Sequence, residues 1–356
     1  MARRKATSRD VARLAGVSRT TVSFVLNDVP GIKITEETRQ RVIQASRQLD
    51  YYPASAARTL ASGKTHRIGL VLGEGQKRLG ADAFLPRFLQ GVTASVRRRE
   101  YLLVLQMEED VPSYQAYTQL IRGQQVDGLI LSGPRSDDRL LSRLVEEKFP
   151  LILHGQIGGC VFPSVDVDNE AGAAQAVGHL IGLGHRRIGF ISNAPLAYAG
   201  ASERLAGYGR ALSDHGLAVD RNLVRTAAFL PGAGYAEMEA LLGLTQRPTA
   251  VFAASDVMAL GAMSAIRTAG LRVPQDVAVV GFDDIFVAAY ASPPLTTMRV
   301  PAFGIGWSAA ELLIALIEGE NEVSSVVLKT ELIVRASCGA ETPQAEGPVA
   351  HDEVGR

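Results

Sequence analysis

Between Ser18 and Asn27 the chain reads SRTTVSFVLN, one guanidinium followed by three hydroxyls and an amide at short spacing. Side chains of these types can read nucleic acid. A guanidinium at Arg19 can donate two parallel hydrogen bonds to a guanine edge, and short donors near a helix N-terminus reach base edges first. The same residues also fit the solvated face of a small helical hairpin, and taken alone they leave both readings open. A second set, His154, Asn193, Ser255 and Asp283, stands just after apolar runs and offers polar groups to a small molecule. No nucleophile elbow, zinc spacing or paired-acid motif accompanies them, so nothing supports an enzyme. The stretch GLVLGEGQKRLGADAF lacks the lysine and hydroxyl that complete a phosphate-cradling loop.

Helices must position the first set. Thr7 and Asp10 form a capping box that predicts a helix over Ser8 to Ala15, ended by Gly16, where a positive φ costs little. Ser18 caps a second helix over Arg19 to Leu26. This phase turns Val11, Ala15, Val17, Val22 and Leu26 inward and leaves Arg19, Thr20, Ser23 and Phe24 outside. Thr35 with Glu36 and Glu37 opens a third helix, whose Val42, Ile43 and Leu49 complete a three-helix core. Pro53 then interrupts the chain, and Ala56 to Leu60 makes one turn of small residues too short to hold itself; it is either a segment ordered by a partner or a plain linker.

The chain has no net charge overall, but the charge is unevenly placed. Residues 1–65 carry 12 Lys/Arg against 5 Asp/Glu, a net +7, and the remainder carries 25 against 32, a net −7. A basic head on an acidic body is expected where only the head meets phosphates. No apolar run approaches the ~18 residues a bilayer demands, and MARRKATSRDVA has no apolar secretory core, so a cytoplasmic protein with no membrane partner is expected. Cys160 and Cys338 make neither a disulfide framework nor a metal spacing, and no cofactor is expected.

From Arg67 the pattern changes. RIGLVLG, YLLVLQM, VDGLILSG, PLILHG, RIGFIS, TAVFAAS and DVAVVGF alternate with helical stretches, the signature of βαβ units whose parallel strands are buried on both faces. That many strands over about 270 residues divide best into two doubly wound subdomains. The expected fold is therefore an all-α helix-turn-helix head with an α/β body. Ligands in such sheets bind beyond the carboxyl ends of the strands, which is why the residues after each run matter. The polar, Pro- and Gly-containing tail after residue 340 reads as disordered.

The run TSRDVARLAGVSRTTVSFVLND with ITEETRQRV resembles the head of the lactose-repressor/galactose-repressor family of bacterial transcription regulators. The resemblance continues through VDVDNEAGAAQAVGHLIGLGHRRIGFIS, SERLAGYGRAL, SDVMALGAMSAI, VPQDVAVVGFDDI and SPPLTTMRVP to about residue 340. It implies that the second helix enters the major groove from Ser18, with Arg19 and Thr20 on bases and Thr21, Ser23 and Asn27 on phosphates. Phe24 departs from the family, where a polar or basic residue is commoner, and an apolar ring there would meet a thymine methyl. Ala57, Arg58 and Leu60 match a hinge helix that pairs across a dimer in the minor groove and wedges its leucine between base pairs.

The resemblance also implies a body of periplasmic-binding-protein type, two subdomains joined by three crossovers. These are expected near Pro163, Leu295 and Leu328, giving one subdomain of about 66–163 and 299–328 and another of about 164–295 and 329–340, after a head of 1–50 and a hinge and linker of 51–65. Arg204 and Asp283 match effector-binding residues, Phe229 a ligand-stacking aromatic and Trp307 a cleft-facing position. Ser255 stands where some members have asparagine, His154 ends a strand, and Phe84 supplies an opposite wall. These have structural alternatives: an ion pair for Arg204, a helix cap for Asp283, core packing or a dimer interface for Phe229 and Trp307, and a plain strand-end side chain for His154. The expectation is an effector-switched, operator-binding repressor, dimeric because no heptad helix closes the chain, with a carbohydrate as effector. The rivals are a transport-type sugar-binding protein and a sugar-handling enzyme.

Overall fold

A computed structural model of the chain describes residues 6–27, 31–52, 59, 63–73, 84–108, 114–138, 144, 149–157, 162–320 and 322–341. The chain divides into two compact units, Met1–His66 and Arg67–Arg356. The hinge expectations at Ala57, Arg58 and Leu60, the expected disorder after residue 341, and Cys160 lie outside the described residues.

The head consists of α1 (Ser8–Ala15), α2 (Arg19–Leu26) and α3 (Glu36–Gln48). Asp10 Oδ2 accepts the Thr7 N–H at 2.9 Å and the Thr7 hydroxyl at 2.6 Å, which fixes the first turn of α1. Gly16 leaves the helix at φ 66°, a left-handed conformation that a side chain would oppose. Ser18 Oγ accepts the Thr21 N–H at 3.0 Å and Thr35 Oγ1 the Thr38 N–H at 3.3 Å, so both later helices start on side-chain caps. Val11, Ala12, Ala15, Val22, Val25, Val42 and Ala45 form the core. Val25, three residues after Val22 on the same face, takes the buried place expected of Leu26, which is half-buried at the edge together with Val17. Phe24, expected outside, is half-buried and does not belong to the core cluster.

The body contains β1 (Arg67–Leu72), α4 (Phe84–Arg98), β2 (Leu102–Met107), α5 (Tyr114–Arg122), β3 (Gly128–Ser132), β4 (Leu151–His154), β5 (Ser164–Val167), α6 (Asn169–Gly182), β6 (Ile188–Ile191), α7 (Ala199–Asp214), β7 (Val224–Arg225), α8 (Pro231–Leu242), β8 (Ala250–Ala253), α9 (Asp256–Thr268), β9 (Ala278–Asp283), β10 (Thr296–Arg299), α10 (Ala302–Glu318), β11 (Val326–Leu328) and β12 (Glu331–Ile333). The strands form two six-stranded sheets, β11-β5-β4-β3-β1-β2 and β12-β10-β9-β8-β6-β7. All pairs are parallel except the antiparallel β10–β12. The central strands β1, β3, β4, β6, β8 and β9 are apolar and buried at nearly every position, as expected of parallel strands covered on both faces.

Sheet pairing moves two of the expected crossovers. β5 pairs with β4 and β11 in the first sheet, so the chain leaves that subdomain at Asp168, after Val167, and not near Pro163. β10 pairs with β9 in the second sheet, so the return falls at Val300 and Pro301, past Leu295. The last crossing spans Lys329 and Thr330, between β11 and β12.

In the first subdomain α4 and α10 meet through glycines. A Cβ at Gly91 would overlap the Phe303 carbonyl oxygen, and one at Gly306 the Phe88 carbonyl oxygen, so the two backbones are in direct contact. In the second, Cys338 is buried, with His179 Nε2 at 3.3 Å and the Thr296 hydroxyl at 3.2 Å from its sulfur. Among the described residues no helix is long and apolar enough to cross a membrane, and no cluster of His, Cys, Asp and Glu could hold a metal ion.

Candidate functional site

On the head, Arg19, Thr20 and Ser23 are exposed along one side of α2, while Thr21 and Asn27 are half-buried. The hydroxyls of Ser18 and Thr21 bond each other at 2.9 Å, and Asn27 Nδ2 donates to Ser23 Oγ at 3.1 Å. These local bonds fix the side chains before any partner arrives. The helix thus presents a guanidinium and hydroxyls at its N-terminal end, the arrangement that suits a groove reader.

On the body, a cleft enclosing about 800 Å³, part of it open solvent, is lined from both subdomains. Six of the seven expected residues line it: Phe84, His154, Arg204, Phe229, Ser255 and Asp283. One wall comes from β4 and α4. His154 ends β4 opposite Ser132 of β3, whose hydroxyl lies 2.8 Å from His154 Nδ1. Phe84 and Phe88 stack on the imidazole at centroid distances of 5.5 and 4.6 Å.

The facing wall is built around Arg204 on α7. Its Nε donates to Asn169 Oδ1 at 2.9 Å and its Nη1 to the Ala254 carbonyl at 2.6 Å. The guanidinium lies 3.9 Å above the Phe282 ring centroid, and Nη1 stands 3.9 Å from Asp283 Oδ1. Asn169 in turn donates to Asp166 Oδ2 at 3.1 Å and to Glu203 Oε2 at 3.0 Å. A continuous chain of polar groups therefore runs from Asp166 through Asn169 to Arg204 and Asp283. Asp283 and Asp284 have φ of 123° and 55°, and Phe229 has 49°, three left-handed residues at or beside one cleft. Strain of this kind persists where surrounding contacts over-determine the backbone. At this turn Asp284 is buried between Arg299 and Arg335.

Phe229 meets Tyr198 edge-on at 5.3 Å, and its N–H donates to the Asn193 carbonyl at 2.9 Å. Asn193 Oδ1 is buried at the cleft and, among the described residues, accepts no hydrogen bond. Ser255 is more committed: its hydroxyl accepts the Met258 N–H at 3.3 Å and caps α9.

Trp307 is a correction. It does not line the cleft; it stacks on Phe303 at 6.2 Å with the Arg98 guanidinium 5.7 Å from its ring. Gly306 is locked against the α4 backbone, and one residue further the helix has turned about 100°, so Trp307 projects from a different face than Gly306. Conversely, Asp166, Asn169 and Tyr198 line the cleft without having been expected there. Their only signal in the sequence is polarity where the apolar pattern stops, in SVDVDN and in NAPLAY.

Burial pushes the Asp166 carboxyl up to about 6, with a further push from Glu203, against the opposing pull of the Val167 N–H, Arg204 and Asn169. A carboxyl raised on folding holds its proton more tightly in the native state. Its stabilising contribution is therefore complete below about pH 4 and is lost as pH climbs through about 6. Asp166→Asn removes this titration, so the stability difference between variant and wild type should shift in the variant's favour by up to about 3 kcal/mol between about pH 4 and pH 8. Urea unfolding of both proteins across that range measures it; a pH-independent difference would mean that Asp166 ionises normally.

Two family models match the chain: bacterial regulatory proteins, lacI family, over residues 7–54, and a periplasmic binding protein-like domain over residues 177–338. The HTH-type transcriptional regulator CelR of Thermobifida fusca is 39% identical over 339 residues, covering 94% of this chain and 99% of its own. The chain belongs to the lacI family of bacterial regulatory proteins. Solved structures agree. A complex of the transcriptional regulator CelR with cellobiose superposes with a TM-score of 0.73 at 37% identity, covering 93% of this chain and 99% of that one. The lac repressor dimer bound to operator and the anti-inducer ONPF superposes at 0.83 with 27% identity, covering 95% and 100%. This lacI-family chain is a ligand-regulated DNA-binding transcriptional repressor and not an enzyme. The family match over the head rules out the transport-type reading.

Proposed function

We propose that this repressor acts in the cytoplasm as a homodimer on a two-fold operator, and that its effector is a carbohydrate held between the two subdomains of the body. The observation that carries the effector reading is the cleft itself: a guanidinium–carboxylate pair, Arg204 and Asp283, and the Asn193 amide oxygen, unpartnered among the described residues, lie between the Phe84–His154 wall and the Tyr198–Phe229 wall. Sugar hydroxyls donate and accept at once, so they bridge Arg204 and Asp283 and supply the donor that Asn193 Oδ1 lacks, while the C–H faces of a pyranose pack on aromatic rings. The relative solved with cellobiose supports the same class. At the head, Ser18, Arg19, Thr20, Thr21, Ser23, Phe24 and Asn27 contact DNA, with Arg19 and Thr20 on bases; residues 57, 58 and 60 follow in the hinge.

The sensor and the reader are coupled by effector binding that favours one arrangement of the body over another, a coupling of ~1–3 kcal/mol in typical allosteric proteins. Calorimetric titration with cellobiose and a panel of mono- and disaccharides, alongside operator binding followed by fluorescence anisotropy, tests the reading. One sugar should bind saturably and change operator affinity by roughly 5- to 150-fold, and the direction of the change separates inducer from corepressor. Silence of the whole panel would overturn the carbohydrate assignment.

A further inference from the structure

We infer that Arg135 is a positioning residue that clasps the mouth of the cleft, with the segment after β3 in one subdomain gripping the segment before α7 in the other. Arg135 and Tyr198 form an isolated antiparallel bridge, outside both sheets. The Ser136 N–H donates to the Ala197 carbonyl at 2.8 Å and its hydroxyl donates to the same oxygen at 3.2 Å. The Arg135 guanidinium lies 5.1 Å from the Tyr198 ring centroid, where the ring's negative face attracts it. Asp137 fixes the guanidinium with two bonds, from Nε at 2.8 Å and Nη2 at 2.7 Å.

The clasp stands away from the crossovers. β3 is the fourth strand from the β11 edge of its sheet and β6 the fifth from the β12 edge, whereas the chain crosses between subdomains at β5, β10, β11 and β12. Joining the segments that follow β3 and β6 therefore tethers the subdomains at a second place, on the cleft rim beside Pro134 and Tyr198. Tyr198 is also the N-cap residue of α7, which carries Arg204, and it meets Phe229 edge-on, so the clasp sets two of the effector's expected neighbours. Arg135 itself does not line the cleft. It acts through Tyr198, and its contribution is to hold the site shut.

Two measurements test this, the second resting on the proposed effector site and the first independent of it. In the full chain with Cys160→Ser, spin labels at Gln119→Cys on α5 and Glu239→Cys on α8 report the distance between subdomains without any ligand. Arg135→Ala should shift the distribution to longer distances and broaden it, and Asp137→Ala should do so by a smaller amount. Identical distributions for Arg135→Ala and its parent, at equal melting temperature, would overturn the clasp. In the second, cellobiose dissociation followed by stopped flow should speed up about tenfold in Arg135→Ala, the loss expected for one partly desolvated cation–π contact, while association is unchanged. An unaltered dissociation rate would overturn the positioning role. If cellobiose does not bind the parent protein, the panel sugar that does takes its place in the stopped-flow test; if none does, the effector reading falls and the label distances still decide the clasp.

Discussion

Arg204→Ala will bind operator as tightly as the parent protein and will no longer respond to effector. The guanidinium is 12% exposed and is held in place by Asn169, the Ala254 carbonyl and the Phe282 face, so its direction is set before a ligand arrives. Truncation removes the donor fork and the positive charge that stands 3.9 Å from Asp283, itself 10% exposed. Removing a charged hydrogen-bond donor typically costs about 1.5–3 kcal/mol of binding, roughly 10- to 150-fold in affinity. Operator binding should survive because the residues proposed to contact DNA belong to a separate unit with its own core. Calorimetry with the sugar that binds the parent, together with operator anisotropy, gives both numbers. A normal effector response in the variant would remove Arg204 from the site, and a matching loss of operator affinity would show that the substitution had damaged the whole protein. Arg204→Lys should recover little, since a point charge cannot replace two bonds set in a rigid plane.

Asp284→Ala will destabilise the body by about 3–5 kcal/mol, the usual consequence of removing one partner from a buried ion pair. Its side chain is 2% exposed and accepts from Arg299 Nε at 2.8 Å and Arg335 Nη2 at 2.7 Å. Arg299 keeps Glu331 as a second partner at 3.0 Å, but Arg335 is left with the Leu295 carbonyl and no acid among the ion pairs described. The backbone adds to the loss, since Asp284 sits at φ 55°, a region that Asp and Asn tolerate better than Ala. Asp284→Asn keeps that tolerance and one acceptor oxygen and should fall between. Thermal unfolding of the full chain should show Asp284→Ala lower by on the order of 10 °C. A change of less than about 1 kcal/mol would mean that solvent reaches the two guanidiniums and replaces the carboxylate.

Much of this was legible in the amino-acid order because parallel sheets constrain where ligands sit. His154, Asn193, Ser255 and Asp283 follow apolar runs, and all four line the cleft. The helix starts at Ser8, Arg19 and Glu36 follow from caps that act within four residues, so local spacing determines them. What failed to show depended on partners far along the chain. The sequence around Trp307 does not reveal that Gly306 must lie on the carbonyl of Phe88, yet that contact sets the helix phase, and Trp307 is not among the residues lining the cleft. Asp166 sits in a strand whose four residues are all buried, and an acid there reads as a solvent-facing break in the pattern. β10, reading TTMR, has no apolar run to mark it, so its place in the second sheet, and with it the position of a crossover, appears only from its pairing with β9.

The crossovers have a mechanical consequence. Each spans one or two residues, Asp168, then Val300 and Pro301, then Lys329 and Thr330, and they leave from strands that are neighbours, β5 beside β11 and β10 beside β12. Three short pins set side by side resist sliding and leave the two leaves a single swing. The message that a ligand sends is then an angle. Two chemically unlike molecules that prop the leaves to the same angle would be read alike, and a tight-binding molecule that leaves the angle unchanged would send no message at all.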